Sequence, residues 1–281
     1  MKAVQVREGI YWVGGIDWNL RNFHGYLTQR GSTYNAYLII DEKITLIDTV
    51  KSYLTDEMLE RIRTIVDPAK IDYVICNHVE MDHSGALPEI MKIAKNATLF
   101  TSPKGEAGLR EHYKQNWNFK AMESGTALNL GKRNLHFFLT PMVHWPDNMV
   151  VYMPEEKILF SNDAFGQHLA SSERFDDEYP LDISMLEARK YYANIVLPYS
   201  KQVQKILVSI QNLDIEIIAN SHGIIWRSHV KDILQGYQSW ASNETRKKAL
   251  LIYDTMWQST ETMAHSIQDA FEDKGYTTSI L

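Results

Sequence analysis

The sequence predicts an α/β fold carrying a metal site at one edge of its sheets, and three observations predict it. Short runs rich in Ile, Val, Leu and Tyr alternate with longer stretches whose apolar residues recur at helical spacing. Four of the strand-like runs lead into a metal-ligating residue: His78, His144, Asp163 and His222. The stretch Asn77-His78-Val79-Glu80-Met81-Asp82-His83 packs four potential ligands, His78, Glu80, Asp82 and His83, into six residues. Strand ends on one edge of a sheet converge in space, and α/β folds place their sites there.

Length and composition bound the reading. A chain of 281 residues suffices for one large domain or two smaller ones. The formal charge of −6 argues against a general nucleic-acid binder, which would present a basic surface. Cys76 is the single cysteine, so an internal disulfide framework and a thiolate-held rubredoxin-type or iron–sulfur centre are excluded. Met1–Glu8 has no apolar signal region, and no apolar run approaches membrane-spanning length. A cytoplasmic protein without a membrane partner is the expectation.

Taken in order, Ile10–Val13 and Tyr34–Ile40 read as strands, with Trp18, Arg21, Phe23 and His24 on a loop between them. A lone loop histidine such as His24 is ordinarily structural or solvated. Ile44–Thr49 is the next strand, paired with Tyr34–Ile40 through Asp41-Glu42-Lys43. Leu54, Met58, Leu59, Ile62, Ile65 and Val66 give helical spacing. Ile71–Cys76 is a buried strand that delivers the ligand run. If that run is extended, His78, Glu80 and Asp82 share one side, and Ser84-Gly85 turns the chain at His83. A polar loop whose acids cap the next helix is the plainer alternative. Leu87–Ala94 is a helix with Pro88 in its first turn, Thr98–Thr101 a strand and Gly105–Tyr113 a helix. His112 reads as solvated, and His136 as lining a sheet face. Leu135–Thr140 is a strand leading to His144. Val150–Met153 and Lys157–Phe160 form a hairpin leading to Asp163. Leu186–Val196 and Val203–Leu213 are helical, Ile215–Ala219 is a strand leading to His222, and His229–Trp240 is a helix.

Four histidines and three carboxylates are too many for one tetrahedral zinc. They suit two metals sharing one carboxylate. Oxygen and imidazole ligands without thiolate suit iron or manganese. Two close metals of that kind can hold a small diatomic ligand and share electrons with it. A hydrolytic pair would instead generate a bound hydroxide.

The pattern His78-x-Glu80-x-Asp82-His83, followed by His144, Asp163 and His222, resembles the flavodiiron proteins, which carry a diiron version of the metallo-β-lactamase-like αββα sandwich. The hydrolases of that superfamily have His where Glu80 stands. Phe23-His24-Gly25, Arg30–Asn35, His144–Asp147, Ser161–His168, Tyr191–Asn194 and Ser221-His222-Gly223 extend the resemblance along essentially the whole chain. It implies one iron on His78, Glu80 and His144, the other on Asp82, His83 and His222, and Asp163 bridging. It also implies that His83 can swing away and leave water in its place. His24 and Tyr191 resemble family residues near the gas-binding face. His168 reads as a hydrogen-bonded support of the Asp163 loop.

Past about residue 246 the reading changes. Lys248–Tyr253 is a buried strand, Asp254–Thr260 a hydroxyl-bearing loop, Glu261–Lys274 a helix ended by Gly275, and Tyr276–Leu281 a further strand. A strand, a Ser/Thr loop and a helix N-terminus can cradle a phosphate, although an ordinary βα turn looks the same. The loop Thr255, Met256, Trp257, Gln258, Ser259 and Thr260 resembles the FMN phosphate loop of the family's flavodoxin-like domain. The expected division is a metallo-β-lactamase-like diiron domain over 1–246 and the first βαβ part of a flavodoxin-like domain over 247–281. The chain is therefore expected to be a truncated flavodiiron protein.

The resemblance implies a reductase of O2 to water, of NO to N2O, or of both, with two irons and, in the complete protein, FMN. A rubredoxin-like or other small electron donor and a head-to-tail homodimer go with it. A non-catalytic diiron sensor of O2 or NO and a dizinc hydrolase on the same fold are the alternatives.

Overall fold

In Tyr37–Ile39, Thr45–Ile47 and Tyr73–Ile75, successive side chains leave opposite faces of one sheet. Ile39, Ile47 and Ile75 enter a core shared with a second sheet, whereas Leu38, Leu46 and Val74 enter a core lined by helices. Both faces are covered, which is why these strands read as unbroken apolar runs rather than as alternating ones.

The computed structural model describes residues 1–281, in two compact units, Met1–Ala241 and Ser242–Leu281. The first unit begins with β1 (Val4–Arg7), β2 (Ile10–Trp12), β3 (Gly15–Asp17), β4 (Asn22–Phe23), β5 (Tyr26–Leu27), β6 (Ser32–Tyr34), β7 (Tyr37–Ile39) and β8 (Thr45–Ile47). Then come α1 (Thr55–Arg63), β9 (Tyr73–Ile75), α2 (Met81–Ser84), α3 (Leu87–Ile93), β10 (Thr98–Thr101), α4 (Pro103–Tyr113) and β11 (Asn118–Ala121). Next are β12 (Ala127–Asn129), β13 (Asn134–Leu139), β14 (Met149–Met153), β15 (Ile158–Asn162), α5 (Leu181–Tyr191), α6 (Ser200–Ile210), β16 (Ile217–Asn220) and α7 (Val230–Ala241).

One sheet runs β1-β2-β7-β8-β9-β10-β11 and the other β12-β13-β14-β15-β16. Phe137, Met149, Val151, Ile158 and Phe160 of the second sheet meet Ile39, Ile47, Ile75 and Phe100 of the first. Fully burying a side chain of this size contributes roughly 1.5–3 kcal/mol. Met58, Leu59 and Ile62 of α1, Leu87 and Ile90 of α3 and Leu109 of α4 cover the outer face of the first sheet. Ala188 and Tyr191 of α5, Val203 and Ile210 of α6, and Ile233 and Tyr237 of α7 cover that of the second. The layers are α, β, β, α, as the resemblance implies.

Several local expectations need correction. Tyr34–Ile40 is not one strand: it breaks at Asn35-Ala36, and β6 pairs with β3 while β7 joins the large sheet. Asn35 is drawn out of any ladder by the bonds it makes to the loop around His222, described below. The supposed loop around His24 contains a tight hairpin, β4–β5. Its two turn residues, His24 (φ 52°) and Gly25 (φ 79°), both take the left-handed conformation that twisted hairpins require. The ligand run is extended only as far as Glu80, because α2 places Asp82 and His83 on a helical turn. The helix expected from Leu186 starts at Leu181 and passes into a π-helical turn at Tyr192–Val196. β1, β11 and β12 are short and partly exposed, and their weak apolar patterns gave no signal.

In the second unit, β17 (Lys248–Leu251) and β18 (Thr277–Ile280) pair in parallel and α8 (Ser259–Asp273) connects them, a βαβ element. The boundary expected at 246/247 falls inside this unit. β17 was expected to be buried, yet its residues alternate between exposed and half-buried, since a single helix can cover only one face of a two-stranded sheet. No helix anywhere is long and apolar enough to cross a membrane.

Candidate metal centre

Each of four strands ends at one edge of the sandwich and leads into a ligand loop: β9 to His78, β13 to His144, β15 to Asp163, and β16 to His222. The residues just before the ligands are cross-linked, which fixes the loops against one another. Asp48, buried at the end of β8, accepts from Asn77 N at 2.7 Å, Asn77 Nδ2 at 3.0 Å and Asn162 Nδ2 at 3.3 Å. Ser221 N donates to Asn162 O at 2.8 Å, and Asn35 N to Ser221 O at 2.7 Å. Asn35 Nδ2 also donates to the carbonyls of Asn220 (2.8 Å) and Gly223 (3.0 Å). Gly223 has φ 82°, and a Cβ there would collide with the Gln167 side chain, so only glycine closes this loop.

The seven predicted ligands converge. Asp163 faces two groups at once. Its Oδ2 lies 3.4 Å from His144 Nε2 and 3.8 Å from His78 Nε2, and its Oδ1 lies 3.0 Å from His83 Nε2 and 3.2 Å from His222 Nε2. Glu80 Oε2 joins the first group at 3.2 Å from His78 Nε2 and 3.5 Å from His144 Nε2. Asp82 joins the second, with Oδ2 3.3 Å from His222 Nε2 and Oδ1 3.4 Å from His83 Nε2. Except for Glu80 and His144, at the mouth, the ligands are almost wholly buried.

These short distances are mostly not hydrogen bonds. Both carboxylate oxygens of Asp82 and Asp163 lack an aligned partner, as do Nε2 of His83, His144 and His222. Buried polar atoms left this way are costly. They are accounted for if the atoms point at common centres rather than at each other. Ligand atoms bound at about 2.0–2.2 Å to one cation lie about 3–3.5 Å apart, the spacing found here. The residues therefore fit a two-cation site.

Electrostatics agree. Burial pulls the His78 imidazole toward neutrality, but hydrogen bonds to Asp147 and Glu80 and the Asp163 charge push its pKa up to about 10. Burial likewise disfavours a charged His222, yet Asp163 and Asp82 push it up to about 10. Burial raises the Glu80 carboxyl, but His24 and His78 hold it down to about 2. A field that holds imidazolium so firmly is one that attracts metal cations.

Outer partners orient some ligands and not others. His78 Nδ1 meets Asp147 Oδ2 at 2.9 Å, and Val79 N donates to the same oxygen at 2.8 Å. His222 Nδ1 donates to Thr33 O at 2.8 Å. His83 Nδ1 has no partner, so packing alone fixes that ring. Sequence reasoning named neither Asp147 nor Asp48, Thr33 or Asn35 as part of the centre. Asp147 stands three residues after His144 in a stretch already singled out. The others lie far off in sequence and carried no local signal.

His24, at the hairpin tip, lies 3.2 Å from Glu80 Oε1 through Nε2 and 3.4 Å from His168 Nε2 through Nδ1. His168 is buried, bonds Ser32 Oγ at 2.8 Å and stacks near His24. Burial, together with the neighbouring His222 and His24, holds it neutral. The Tyr191 ring lies 5.1 Å from that of His168 and 5.9 Å from that of His222, and its buried hydroxyl has no partner. His112 is exposed and His136 half-buried on β13, away from the cluster. In the second unit, the loop before α8 exposes Met256 and Trp257, the first helical residues Ser259 and Thr260 are also exposed, and no side chain caps the helix start at Gln258.

Comparison with known proteins places this arrangement. Residues 33–223 match the family model described as ODP family beta lactamase. The chain is 48% identical, over 95% of its length and 68% of the relative's, to a nitric oxide reductase of Moorella thermoacetica. Among solved structures it resembles the rubredoxin oxygen:oxidoreductase of Desulfovibrio gigas, with TM-score 0.95 and 41% identity, covering 100% of this chain and 71% of that one. The flavodiiron protein of Giardia intestinalis matches with TM-score 0.94 and 37% identity, over 100% and 69% of the two chains. A sandwich whose four strand ends gather a His- and carboxylate-rich centre, matched over its whole length by such proteins, belongs to the flavodiiron proteins of the metallo-β-lactamase fold.

Proposed function

We propose that this chain is the diiron core of a reductase of O2, NO or both. The observation that carries the reading is Asp163, which turns one unpaired oxygen toward each of two ligand groups. His78, Glu80 and His144 would hold one iron, Asp82, His83 and His222 the other, and Asp163 would bridge them. Two irons so placed would supply electrons to a small diatomic gas held between them.

The chain's own residues define the setting of that chemistry. Asp147 and Thr33 fix the tautomers of His78 and His222 by accepting at Nδ1, which leaves Nε2 for the metal. His24 reaches Glu80 from the outer side, and a proton on its Nε2 holds that carboxylate in place. Tyr191 brings an unpaired hydroxyl to the His222 side. Thr255–Thr260 would hold the phosphate of FMN: the exposed Ser259 and Thr260 and an uncapped helix start offer donors to an anion. Flavin in the complete protein would pass electrons to the irons, from a small donor protein such as a rubredoxin, within a head-to-tail dimer in the cytoplasm. The relative named rubredoxin oxygen:oxidoreductase supports the choice of donor.

Elemental analysis tests the core of this reading. Protein produced with ample iron is expected to carry about two irons per chain, with little zinc. Two zincs together with robust lactam or ester hydrolysis would exclude it. A second expectation concerns Asp147→Ala. It removes the oxygen that orients His78, and metal affinity is expected to fall about 10–100-fold, as read by chelator competition. Unchanged affinity would show that packing alone orients the ring.

A further inference from the structure

The outer face of the second sheet does not close completely against α6 and α7. Between them lies a cavity of about 20 Å³ whose lining is almost entirely apolar. One end is formed by Val143, Ala164 and Phe165, and the α6 wall includes Val203, Ile206 and Leu207. The Tyr237 hydroxyl on its border is already engaged, accepting from Phe165 N at 2.7 Å.

We propose that this cavity is a docking site for one small apolar diatomic gas, O2 or NO, held beside the ligand loops. The proposal rests on the reading of the centre as a gas-reducing site. A single water-sized guest needs about 10–15 Å³, and water also needs two to four polar partners, which this lining does not offer. An apolar void of this kind stays dry and accepts apolar guests. A diatomic gas, a poor hydrogen-bonding partner, favours such a void over water.

Position gives the cavity its role. Val143 is the residue before His144, and Ala164 is the residue after Asp163. A guest there touches neighbours of a ligand from the first group and of the bridging carboxylate. The opposite wall reaches toward solvent, since Ile206 and Leu207 are half-buried and the next residue, Val208, is 61% exposed. Ile206 and Leu207 are therefore the side chains that stand between the cavity and solvent, and both are apolar.

The test uses xenon as the probe in crystals of the iron-loaded chain under gas pressure. Xenon density is expected in the cavity of the wild type. Leu207→Trp, at the half-buried wall, fills the space without touching a ligand. It is expected to abolish xenon binding and leave the iron content unchanged. The rate at which NO binds the chemically reduced protein, followed by stopped-flow absorbance, should fall roughly tenfold. Ile206→Ala enlarges the same wall and should raise xenon occupancy without slowing NO, which keeps the test intact if the tryptophan variant does not fold. A wild type without xenon in the cavity overturns the proposal. So does a filled cavity that leaves NO binding as fast as before. If the wild-type iron protein binds no NO at all, the reading of the centre fails instead, and xenon still reports on the cavity alone.

Discussion

Asp163→Asn is expected to cost the protein most of its iron from both halves of the site. The aspartate is 1% exposed and sends Oδ1 toward His83 and His222 and Oδ2 toward His144 and His78. An asparagine has nearly the same shape but loses the negative charge, and one of its two atoms becomes a donor. That donor faces metal on one side, and the remaining oxygen is a weaker ligand on the other. The loss should exceed the roughly 10–100-fold that removing an outer partner costs. Iron per chain should drop well below half, and gas consumption should fall about a hundredfold or more. Inductively coupled plasma analysis and a gas electrode measure both, with circular dichroism as a control on folding. A variant that keeps both irons would remove Asp163 from the role of bridge.

The contrast between Asp163 and the groups that support it shows how far the sequence could be read. His78, His144, Asp163 and His222 each follow an apolar strand, and strand periodicity is a local property. Their convergence could therefore be anticipated from where the apolar runs stop. The covered sheet was legible for the same reason, since Leu38-Ile39 and Leu46-Ile47 serve two cores with adjacent residues.

What escaped the sequence depends on contacts between distant segments. Asn35 interrupts an apolar run because it binds Asn220, Ser221 and Gly223, residues far along the chain. Local pattern alone leaves His24 an ordinary loop residue, and only the family resemblance draws it toward the site, because the left-handed turn that aims it at Glu80 shows in sequence only as a following glycine. An extended run would carry Asp82 on the side of His78 and Glu80 and turn only at His83, but the helical turn starts at Met81 and brings Asp82 beside His222 and His83 beside Asp163. That turn is anchored by Thr49, whose N and Oγ1 both donate to His83 O, at 2.9 and 2.6 Å.

Glu80→His is expected to redirect the centre from iron toward zinc. Glu80 lies 3.2 Å from His78 Nε2 through Oε2 and 3.2 Å from His24 Nε2 through Oε1, so it is held from both sides at the mouth of the site. The exchange removes one of three carboxylate ligands. The remaining set is richer in imidazole and one charge poorer, which lowers the preference for a metal that reaches the +3 state. Zinc, content with nitrogen ligands and without redox chemistry, gains relative to iron. His24 would lose its acceptor and face a second imidazole in place of an anion. The iron-to-zinc ratio should therefore fall by roughly tenfold or more in protein grown with both metals. Reduction of O2 and NO by the flavin-bearing form should fall by about the same factor at least. Circular dichroism should stay native, because the Glu80 side chain is only half-buried and the exchange keeps the backbone carbonyl that accepts from His83 N and Ser84 N at 2.9 Å. If the variant retains wild-type iron and unchanged rates with both gases, the carboxylate at position 80 is not what sets this centre apart from its hydrolytic counterparts.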